Sequence, residues 1–403
     1  MNAAYPVIIL NSGKEQSPLR FHPWIFSGAI KSKSREPAEG EIVEVQDIKG
    51  LCLGMGHYTI GSIAVRLFSF KKAEVDSKFW KNKLVRAYNL RKKLGLAGNP
   101  LTNTYRLVYA EGDGLPGLII DFFNGTAVIQ THTVGMHLLK EELVNALKEV
   151  YGEELKAVYD KSEDTMPKMS AVKAVNCCLW GQTESNEVLE NGHRFLVDWE
   201  TGQKTGFFID QRESRELVKK YSRDRTVLNT FCYSGGFSIY ALAAGAREVH
   251  SVDSSKKAVE LCDKNVILNN FNGTGVSDGT LLHTSFAQDT FDFLEGRSKY
   301  YDLIILDPPA FAKHQNAKHN AVQGYKRLNL EAFKQIKPGG ILFTFSCSQV
   351  IDKSLFQGAV MAAAIESGRS VRILHHLSQP ADHPVSIFHP EGEYLKGLVL
   401  YIE

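Results

Sequence analysis

The sequence has few cysteines, little net charge and no long apolar segment. Its six cysteines among 403 residues include no CxxC motif, which argues against both a zinc site and a disulfide framework. Every apolar run is shorter than the roughly 20 residues that a membrane-spanning helix needs, and Val7–Leu10 is too short for the apolar part of a secretory signal. We therefore expect a cytoplasmic protein without a metal site.

The composition is ordinary for a globular protein, with 43% hydrophobic and 23% charged residues. The net charge of +2 is too small to indicate nucleic-acid binding by itself, because only locally concentrated Lys and Arg side chains attract phosphate strongly. At 403 residues the chain exceeds one ordinary core, so two or three domains are expected.

The sequence divides into three predicted domains. Residues 1–72 contain short strands separated by glycine and proline turns, which is typical of a small β-barrel. Residues 73–200 are predicted to form a small α+β domain led by a basic helix from Ser77 to Leu94, interpreted as a solvated linker in preference to a direct RNA contact. Within it a helix is predicted over Leu138–Val150, and Asn191-Gly192 predicts a β-hairpin.

In residues 201–403 strands and helices alternate regularly, which predicts a doubly wound, Rossmann-like α/β sheet. The predicted strands are Val227–Thr230, Glu248–Asp253, Leu303–Leu306, Ile341–Phe345, Val371–Leu374 and Leu398–Ile402. The last four have the apolar composition of strands buried on both faces.

A glycine turn follows the first of these strands. Phe231–Phe237 contains Gly235 and Gly236, and such a strand-to-helix turn lets a nucleotide approach the backbone closely. Alone, the pair is also compatible with an ordinary turn. Asp253 ends the next strand, where an acid can accept hydrogen bonds from ribose hydroxyls, and Asp289 could accept one from an adenine amino group. Each of these two acids could instead cap a helix.

The strongest local pattern is Leu303–Phe311, a buried strand that ends in Asp307-Pro308-Pro309-Ala310-Phe311. Cys347 follows the Ile341–Phe345 strand between Ser346 and Ser348. Because ligands gather outside the carboxyl ends of parallel strands, we expect Asp307 and Cys347 to meet at one edge of the sheet.

Together these landmarks resemble class I S-adenosylmethionine methyltransferases, and in particular the ribosomal RNA large subunit methyltransferase I family. Lys204–Arg212 looks like the family's entry segment, Arg20–Gly28 like the start of its RNA-binding PUA domain, and Glu111–Leu118 like part of its central domain. The resemblance covers nearly the whole chain.

The resemblance implies methylation of cytosine C5 in 23S ribosomal RNA, free or in a large-subunit particle, by a protein that could be a homodimer. Cys347 would be the nucleophile that adds to C6, and Asp307 would stabilise the developing charge on the base. The expected S-adenosylmethionine contacts are Asp210, Arg212, Asn229, Thr230, Phe231, Tyr233, Ser234, Gly235, Gly236, Asp253, Ser254, Asp289, Asp307 and Pro308. The expected substrate contacts are Pro309, Phe311 and Lys313.

One departure concerns Pro309, because related RNA cytosine methyltransferases often carry a second cysteine there, so the base that removes the C5 proton stays unassigned. Two alternatives remain open. Asp307–Phe311 could hold an exocyclic amino group for N-methylation, with Phe311 stacked on the base. The chain could also be a non-catalytic ribosome assembly factor with a methyltransferase fold.

Overall fold

The computed structural model describes residues 5–168, 170–183, 185–273, 282–295, 300–312 and 314–403. The chain forms two compact units. The first contains Met1–Val188, Val197–Ile209 and Ala381–Gly392, and the second contains Leu189–Leu196, Asp210–Pro380 and Glu393–Glu403. The three-domain division at residues 72 and 200 stays a prediction beside this two-unit division. Over the described ranges, every helix is too short or too polar to cross a membrane.

The first sheet of the first unit has six strands in the order β2-β6-β5-β4-β1-β3. These strands are β1 (Val7–Leu10), β2 (Trp24–Phe26), β3 (Ile30–Lys33), β4 (Ile42–Gln46), β5 (Cys52–Tyr58) and β6 (Ile63–Ser69), with a short helix α1 (Gln16–Leu19) between β1 and β2. Apolar side chains such as Ile8, Val45 and Val65 are fully buried in one cluster. The short predicted strands of residues 1–72 thus build one sheet around a small core.

The basic helix α2 (Ser77–Lys93) begins where the Asp76 side chain accepts a hydrogen bond from the backbone N–H of Phe79. Trp80, Leu84 and Ala87 recur at helical spacing, and all three are buried in the core of the first unit. The interpretation of this helix as a solvated linker is therefore wrong for the face that carries these three residues. Burial of that apolar face decides where the helix packs, although most of its other residues are lysines, arginines and polar groups.

The second sheet of the first unit has the order β11-β10-β9-β8-β7. Its elements are β7 (Thr104–Tyr109), β8 (Leu118–Phe123), β9 (Thr126–Thr131), α3 (Val134–Leu138), α4 (Lys140–Tyr151), β10 (Ala157–Asp160) and β11 (Cys177–Gly181). The helix predicted over Leu138–Val150 is present as α4. The separate short helix α3 precedes it and begins where the Thr133 side chain accepts a hydrogen bond from Met136 N–H.

The predicted hairpin is present as β12 (Glu187–Glu190) and β13 (His193–Leu196). Asn191 and Gly192 both have positive φ, 51° and 81°. Positive φ at both central residues is the geometry of a type I′ turn, whose twist matches the right-handed twist of the two strands.

The second unit contains a seven-stranded sheet in the order β16-β15-β14-β17-β18-β20-β19. Its elements are α5 (Arg212–Ser222), β14 (Thr226–Thr230), α6 (Gly236–Ala243), β15 (Glu248–Asp253), α7 (Lys256–Leu268), β16 (His283–Ala287), α8 (Thr290–Glu295), β17 (Tyr301–Leu306), α9 (Lys318–Gln335), β18 (Ile336–Ser346), α10 (Lys353–Ser367), β19 (Val371–Leu377) and β20 (Lys396–Ile402). β14 to β18 pair in parallel, and β20 is antiparallel to both of its neighbours.

The central strands carry the core of this unit, since Leu303, Ile304, Ile305 and Leu306 are all fully buried. β19 differs: Arg372, Ile373 and Leu374 are exposed. The prediction of a buried strand at Val371–Leu374 is therefore wrong, because β19 pairs only with β20 and forms the edge of the sheet.

Candidate active site

The register of the parallel strands brings the predicted site residues to one edge of the sheet. Thr230 of β14 pairs with Val252 of β15 and with Leu306 of β17, and Leu306 in turn pairs with Thr344 of β18. The segments that follow these four strands therefore emerge side by side. In a doubly wound sheet this carboxyl edge is where ligands bind.

The turn after β14 has an unusual backbone. Phe231, Tyr233 and Gly235 all have positive φ, at 54°, 45° and 76°. A Cβ atom added to Gly235 would lie 2.5 Å from the Sγ atom of Cys262 on α7, so only glycine fits there without displacing the helix. Phe231 and Tyr233 are strained because left-handed geometry is unfavourable for residues other than glycine, and such strain is common at ligand sites.

Asn229 and Thr230 lie inside the sheet just before this turn. The Asn229 Nδ2 atom donates to Ser238 Oγ at 2.9 Å, and Thr230 Oγ1 donates to the carbonyl oxygen of Ile305 at 2.8 Å. Both side chains thus join β14 to neighbouring elements. The Asn229 Oδ1 atom is buried without a hydrogen-bond partner among the described residues.

Asp253 connects the turn to the end of β15. One carboxylate oxygen accepts from the backbone N–H of Tyr233 at 3.1 Å, and the other accepts from Ser255 N–H at 2.9 Å. The two bonds fix the orientation of the carboxylate, and a carboxylate oxygen has lone pairs enough to accept further hydrogen bonds. Ser254 beside it is exposed.

Asp289 follows β16 and caps α8, where its Oδ1 atom accepts from the backbone N–H of Phe291 at 2.8 Å and of Asp292 at 3.3 Å. The capping alternative considered from the sequence is therefore present at this position. Contact of Asp289 with a ligand stays a prediction.

The segment after β17 places Asp307 next to a glutamine. Gln211 donates from Nε2 to Asp307 Oδ1 at 3.0 Å, and its own Oε1 atom is buried without a hydrogen-bond partner among the described residues. Pro308 is buried and Pro309 is exposed. Asp307 itself is half-buried at this edge and accepts a hydrogen bond from a neutral amide.

Phe311 is half-buried, with its ring centroid 4.7 Å from that of Tyr325. Gly324 provides the space for this packing, because a Cβ atom there would lie 2.9 Å from the Phe311 ring. Lys313, the third expected substrate contact, lies outside the described residues.

Cys347 follows β18 and is half-buried, so its sulfur is neither deep in the core nor fully in solvent. Its Sγ atom lies 3.8 Å from the carbonyl oxygen of Pro308. On either side, Ser346 Oγ donates to the hydroxyl of Tyr325 at 2.9 Å and Ser348 Oγ donates to the carbonyl oxygen of Ala312 at 2.7 Å. The structure therefore brings Cys347 together with the Asp307-Pro308 segment.

The entry segment supplies two buried charged groups. Asp210 accepts a hydrogen bond from the Tyr394 hydroxyl at 2.5 Å. Arg212 lies 3.4 Å from Glu190, which also forms a bidentate ion pair with Arg215 through two bonds of 2.7 Å. Two guanidinium groups share the Glu190 carboxylate, and the Asp210 carboxylate also acts on Arg215, so two acids face two guanidinium groups in this buried cluster.

These residues fit S-adenosylmethionine. The turn after β14 allows the ligand to approach the backbone closely, and the first N–H groups of α6 suit the carboxylate of its amino-acid end. Asp253 can accept hydrogen bonds from the ribose hydroxyls. The carboxylate of Asp210 suits an ammonium or sulfonium charge. These assignments of individual residues are predictions.

Comparison with known proteins agrees with the fold. The family model of S-adenosylmethionine-dependent methyltransferases matches residues 142–391, and that of PUA-like domains matches residues 8–70. These matches confirm the predicted fold class, a class I methyltransferase sheet preceded by a PUA-like domain.

The relatives are more specific. The chain is 39% identical to ribosomal RNA large subunit methyltransferase I of Tolumonas auensis and 40% identical to that of Aeromonas salmonicida, in each case over 98% of both chains. It therefore belongs to the ribosomal RNA large subunit methyltransferase I family and uses S-adenosylmethionine. The fold also matches a putative S-adenosylmethionine-dependent methyltransferase from Streptococcus mutans, with a TM-score of 0.80 at 22% identity over 98% of this chain and 99% of that one.

Sequence reasoning missed four residues of the site: Glu190, Gln211, Tyr394 and Lys396, a buried lysine whose Nζ atom donates to the carbonyl oxygen of Ser348 next to Cys347. Gln211 stood inside the recognised entry segment, so its position between two assigned residues was a usable signal. The other three come from hairpin and C-terminal segments whose sequences carry no nucleotide-binding pattern. Only the fold brings them to the edge of the sheet.

Proposed function

We propose that this protein methylates C5 of a cytosine in 23S ribosomal RNA, free or within a large-subunit particle, in the cytoplasm. The observation that carries the proposal is the half-buried Cys347 sulfur, which lies 3.8 Å from the carbonyl oxygen of Pro308, the residue that follows Asp307. The names of the full-length relatives support ribosomal RNA as the substrate.

Cytosine C5 is a poor nucleophile until C6 carries an electron-donating substituent. When bound, S-adenosylmethionine supplies an electrophilic methyl group on a sulfonium. In the proposed mechanism the Cys347 thiolate forms a bond to C6, and the electron pair of the C5–C6 double bond becomes available at C5. C5 would use this pair to bond the methyl carbon while the bond from methyl to the donor sulfur breaks, which leaves S-adenosylhomocysteine. A base then takes the C5 proton, the C5–H electron pair re-forms the C5–C6 double bond, and the sulfur–C6 bond breaks to restore the aromatic ring and the thiolate.

Asp307 is proposed to orient the base at the same time. A carboxyl group beside N3 and the exocyclic amino group of cytosine would stabilise the charge that develops as sulfur adds. The hydrogen bond from Gln211 fixes the side chain, so little reorganisation is needed when the base arrives. Reaction at C5 requires the base to be unpaired or flipped out of a helix.

The direct test is a covalent trap. RNA that contains 5-fluorocytosine at the target has no removable C5 proton, so the adduct cannot eliminate and should survive denaturing electrophoresis. We expect a stable complex with the wild-type protein and none with C347A. C52A is the matched control, because Cys52 is equally half-buried but lies in β5 of the first unit, and it should form the complex normally.

Mass spectrometry of nucleosides from methylated 23S ribosomal RNA completes the test. We expect 5-methylcytidine with the wild-type protein and at least a 1000-fold slower rate with C347A. A methyl group on an exocyclic nitrogen, formed at the same rate by C347A, would contradict the C5 proposal. Absence of any transfer by a protein that binds S-adenosylhomocysteine would contradict catalysis altogether.

A further inference from the structure

A buried lysine lies beside Cys347. Lys396, the first residue of β20, is only 6% exposed. Its Nζ atom donates to the carbonyl oxygen of Ser348 at 2.5 Å. An ammonium group has three donor hydrogens, and this is its one hydrogen bond within the described part of the chain.

The pairing of strands explains this position. Lys396 is directly opposite Ser346 in the antiparallel pair of β18 and β20, and Cys347 is the next residue after Ser346. The side chain thus reaches the loop that carries the sulfur, and its Nζ atom bonds to the residue that follows Cys347. A desolvated ammonium is costly unless a negative charge compensates it.

Electrostatic contacts around Lys396 point to the sulfur. Burial lowers the pKa of Lys396 to about 8, while Cys347 acts to raise it, ahead of the acids Glu393 and Asp352. Lys353 opposes these acids but is 62% exposed and paired with Glu393. The Cys347 sulfur is therefore the strongest of the groups that favour the charged form of Lys396.

We infer that the Lys396 ammonium holds Cys347 as a thiolate, so that Lys396 is a positioning residue of the reaction. The inference rests on the nucleophilic role proposed for Cys347. In the free protein the S–H bond breaks, the proton goes to water, the electron pair stays on sulfur, and Lys396 keeps its three protons. An adjacent cation lowers the cost of that ionisation.

Within the described part of the chain, Tyr325 and Asp307 are two further titratable groups near the sulfur. Burial raises the pKa of Tyr325 to about 12, so its hydroxyl stays neutral near pH 7 and supplies no charge. Asp307, across the edge, would disfavour a second negative charge. A compensating cation is thus needed on the β20 side, and Lys396 occupies that place.

The test measures ionisation of Cys347 without RNA or methyl donor. The full-length protein is alkylated with iodoacetamide at a series of pH values, and the rate at Cys347 is read from its peptide by mass spectrometry, in a C177S/C178S background because those two cysteines are exposed. We expect the wild-type rate to reach half its maximum below the ordinary thiol pKa of about 8.5. A midpoint at or above that value would overturn the inference with no further variant required.

Variants then assign the effect to the charge. K396M should slow alkylation of Cys347 at pH 7 at least tenfold and move the midpoint upward, whereas K396R should restore the wild-type profile. K353M removes an exposed neighbouring charge and should change the rate by less than about twofold. A K396M protein with lowered thermal stability but an unmoved alkylation profile would show a merely structural lysine and refute the inference.

Failure of the C5 proposal gives a different result. If the alkylation midpoint of Cys347 is low and depends on Lys396 but no 5-fluorocytosine adduct forms, Lys396 does stabilise the thiolate and the proposed methylation of cytosine C5 is wrong. If the adduct forms while K396M leaves the titration unchanged, the role of Lys396 is wrong and the chemistry stands.

Discussion

The carboxyl edge of the seven-stranded sheet has two halves that are built in different ways. At the ends of β14 and β15 the edge is formed mainly by backbone. The turn after β14 has three positive φ angles and a glycine packed closely against α7, and the Asp253 carboxylate is fixed by two backbone N–H groups. After β17 and β18 the edge instead carries the side chains of Asp307 and Cys347. Gln211 donates a hydrogen bond to Asp307, and Lys396 donates one to the carbonyl oxygen of Ser348 next to Cys347.

The difference reflects what each half is proposed to do. A cofactor of constant shape is bound best by a rigid surface, and backbone groups and buried glycines lose little entropy when it binds. A reaction instead needs groups whose charge suits the transition state, and those are side chains with tuned surroundings. Substitutions in the first half should therefore change affinity, and substitutions in the second half should change rate.

The largest effect in this comparison is expected for D307N. We predict that methyl transfer to RNA falls by about 100- to 1000-fold, because an amide cannot supply the charge or the proton of the carboxyl group. The dissociation constant of S-adenosylhomocysteine, measured by calorimetry, should change by less than about threefold. D292N, an exposed Asp-to-Asn change on α8, is the control and should leave both quantities at the wild-type level.

A D307N protein that methylates normally at saturating donor but binds the donor weakly would break the comparison. Asp307 would then belong to the cofactor half of the edge, as its place among the expected S-adenosylmethionine contacts also allows.

A smaller effect is expected for D253A, in the other half. We predict that S-adenosylhomocysteine binds about 10- to 100-fold more weakly, because charge-assisted hydrogen bonds to the ligand are lost and the Tyr233 N–H no longer has its acceptor. The rate at saturating donor should stay within about threefold of wild type. D263A, which removes a half-exposed acid of α7, should not change the affinity.

The positions of the main site residues along the sheet edge were predictable from the sequence, but the residues that contact and orient them were not. Alternating strands and helices placed Gly235, Asp253, Asp307 and Cys347 each at or just after the end of a parallel strand, and parallel pairing requires such positions to share an edge. The contact from Gln211 to Asp307 spans 96 residues, and no local periodicity encodes a pairing over that distance.

The errors in the predicted fold have a related origin. β19 and the buried strands have similar apolar composition, and only the strand order shows that β19 has one neighbour. The basic helix α2 was judged by its many charges, whereas its packing is decided by Trp80, Leu84 and Ala87 on one face. Composition indicates what a segment can bury, and the tertiary fold decides what it does bury.

A different kind of effect, on the stability of the fold, is expected for the rigidity of the cofactor half. G235A adds a methyl group at φ 76°, 2.5 Å from Cys262 Sγ, so both left-handed strain and overpacking oppose it. We predict a loss of about 2–4 kcal/mol in the free energy of unfolding, measured by urea denaturation. Weaker binding of S-adenosylhomocysteine should accompany it, because the turn has to shift.

Gly245 separates the two causes. It has a similar φ of 82° but open space around the added methyl group, so G245A should lose only about 1 kcal/mol, from strain alone. The double variant G235A/C262A removes the sulfur that the new methyl group meets and should recover much of the difference, in a double-mutant cycle with a coupling energy of about 1 kcal/mol or more. Equal losses for G235A and G245A with no coupling to Cys262 would mean that the turn is not held by its contact with α7, and the rigid half of the edge would then depend on Asp253 alone.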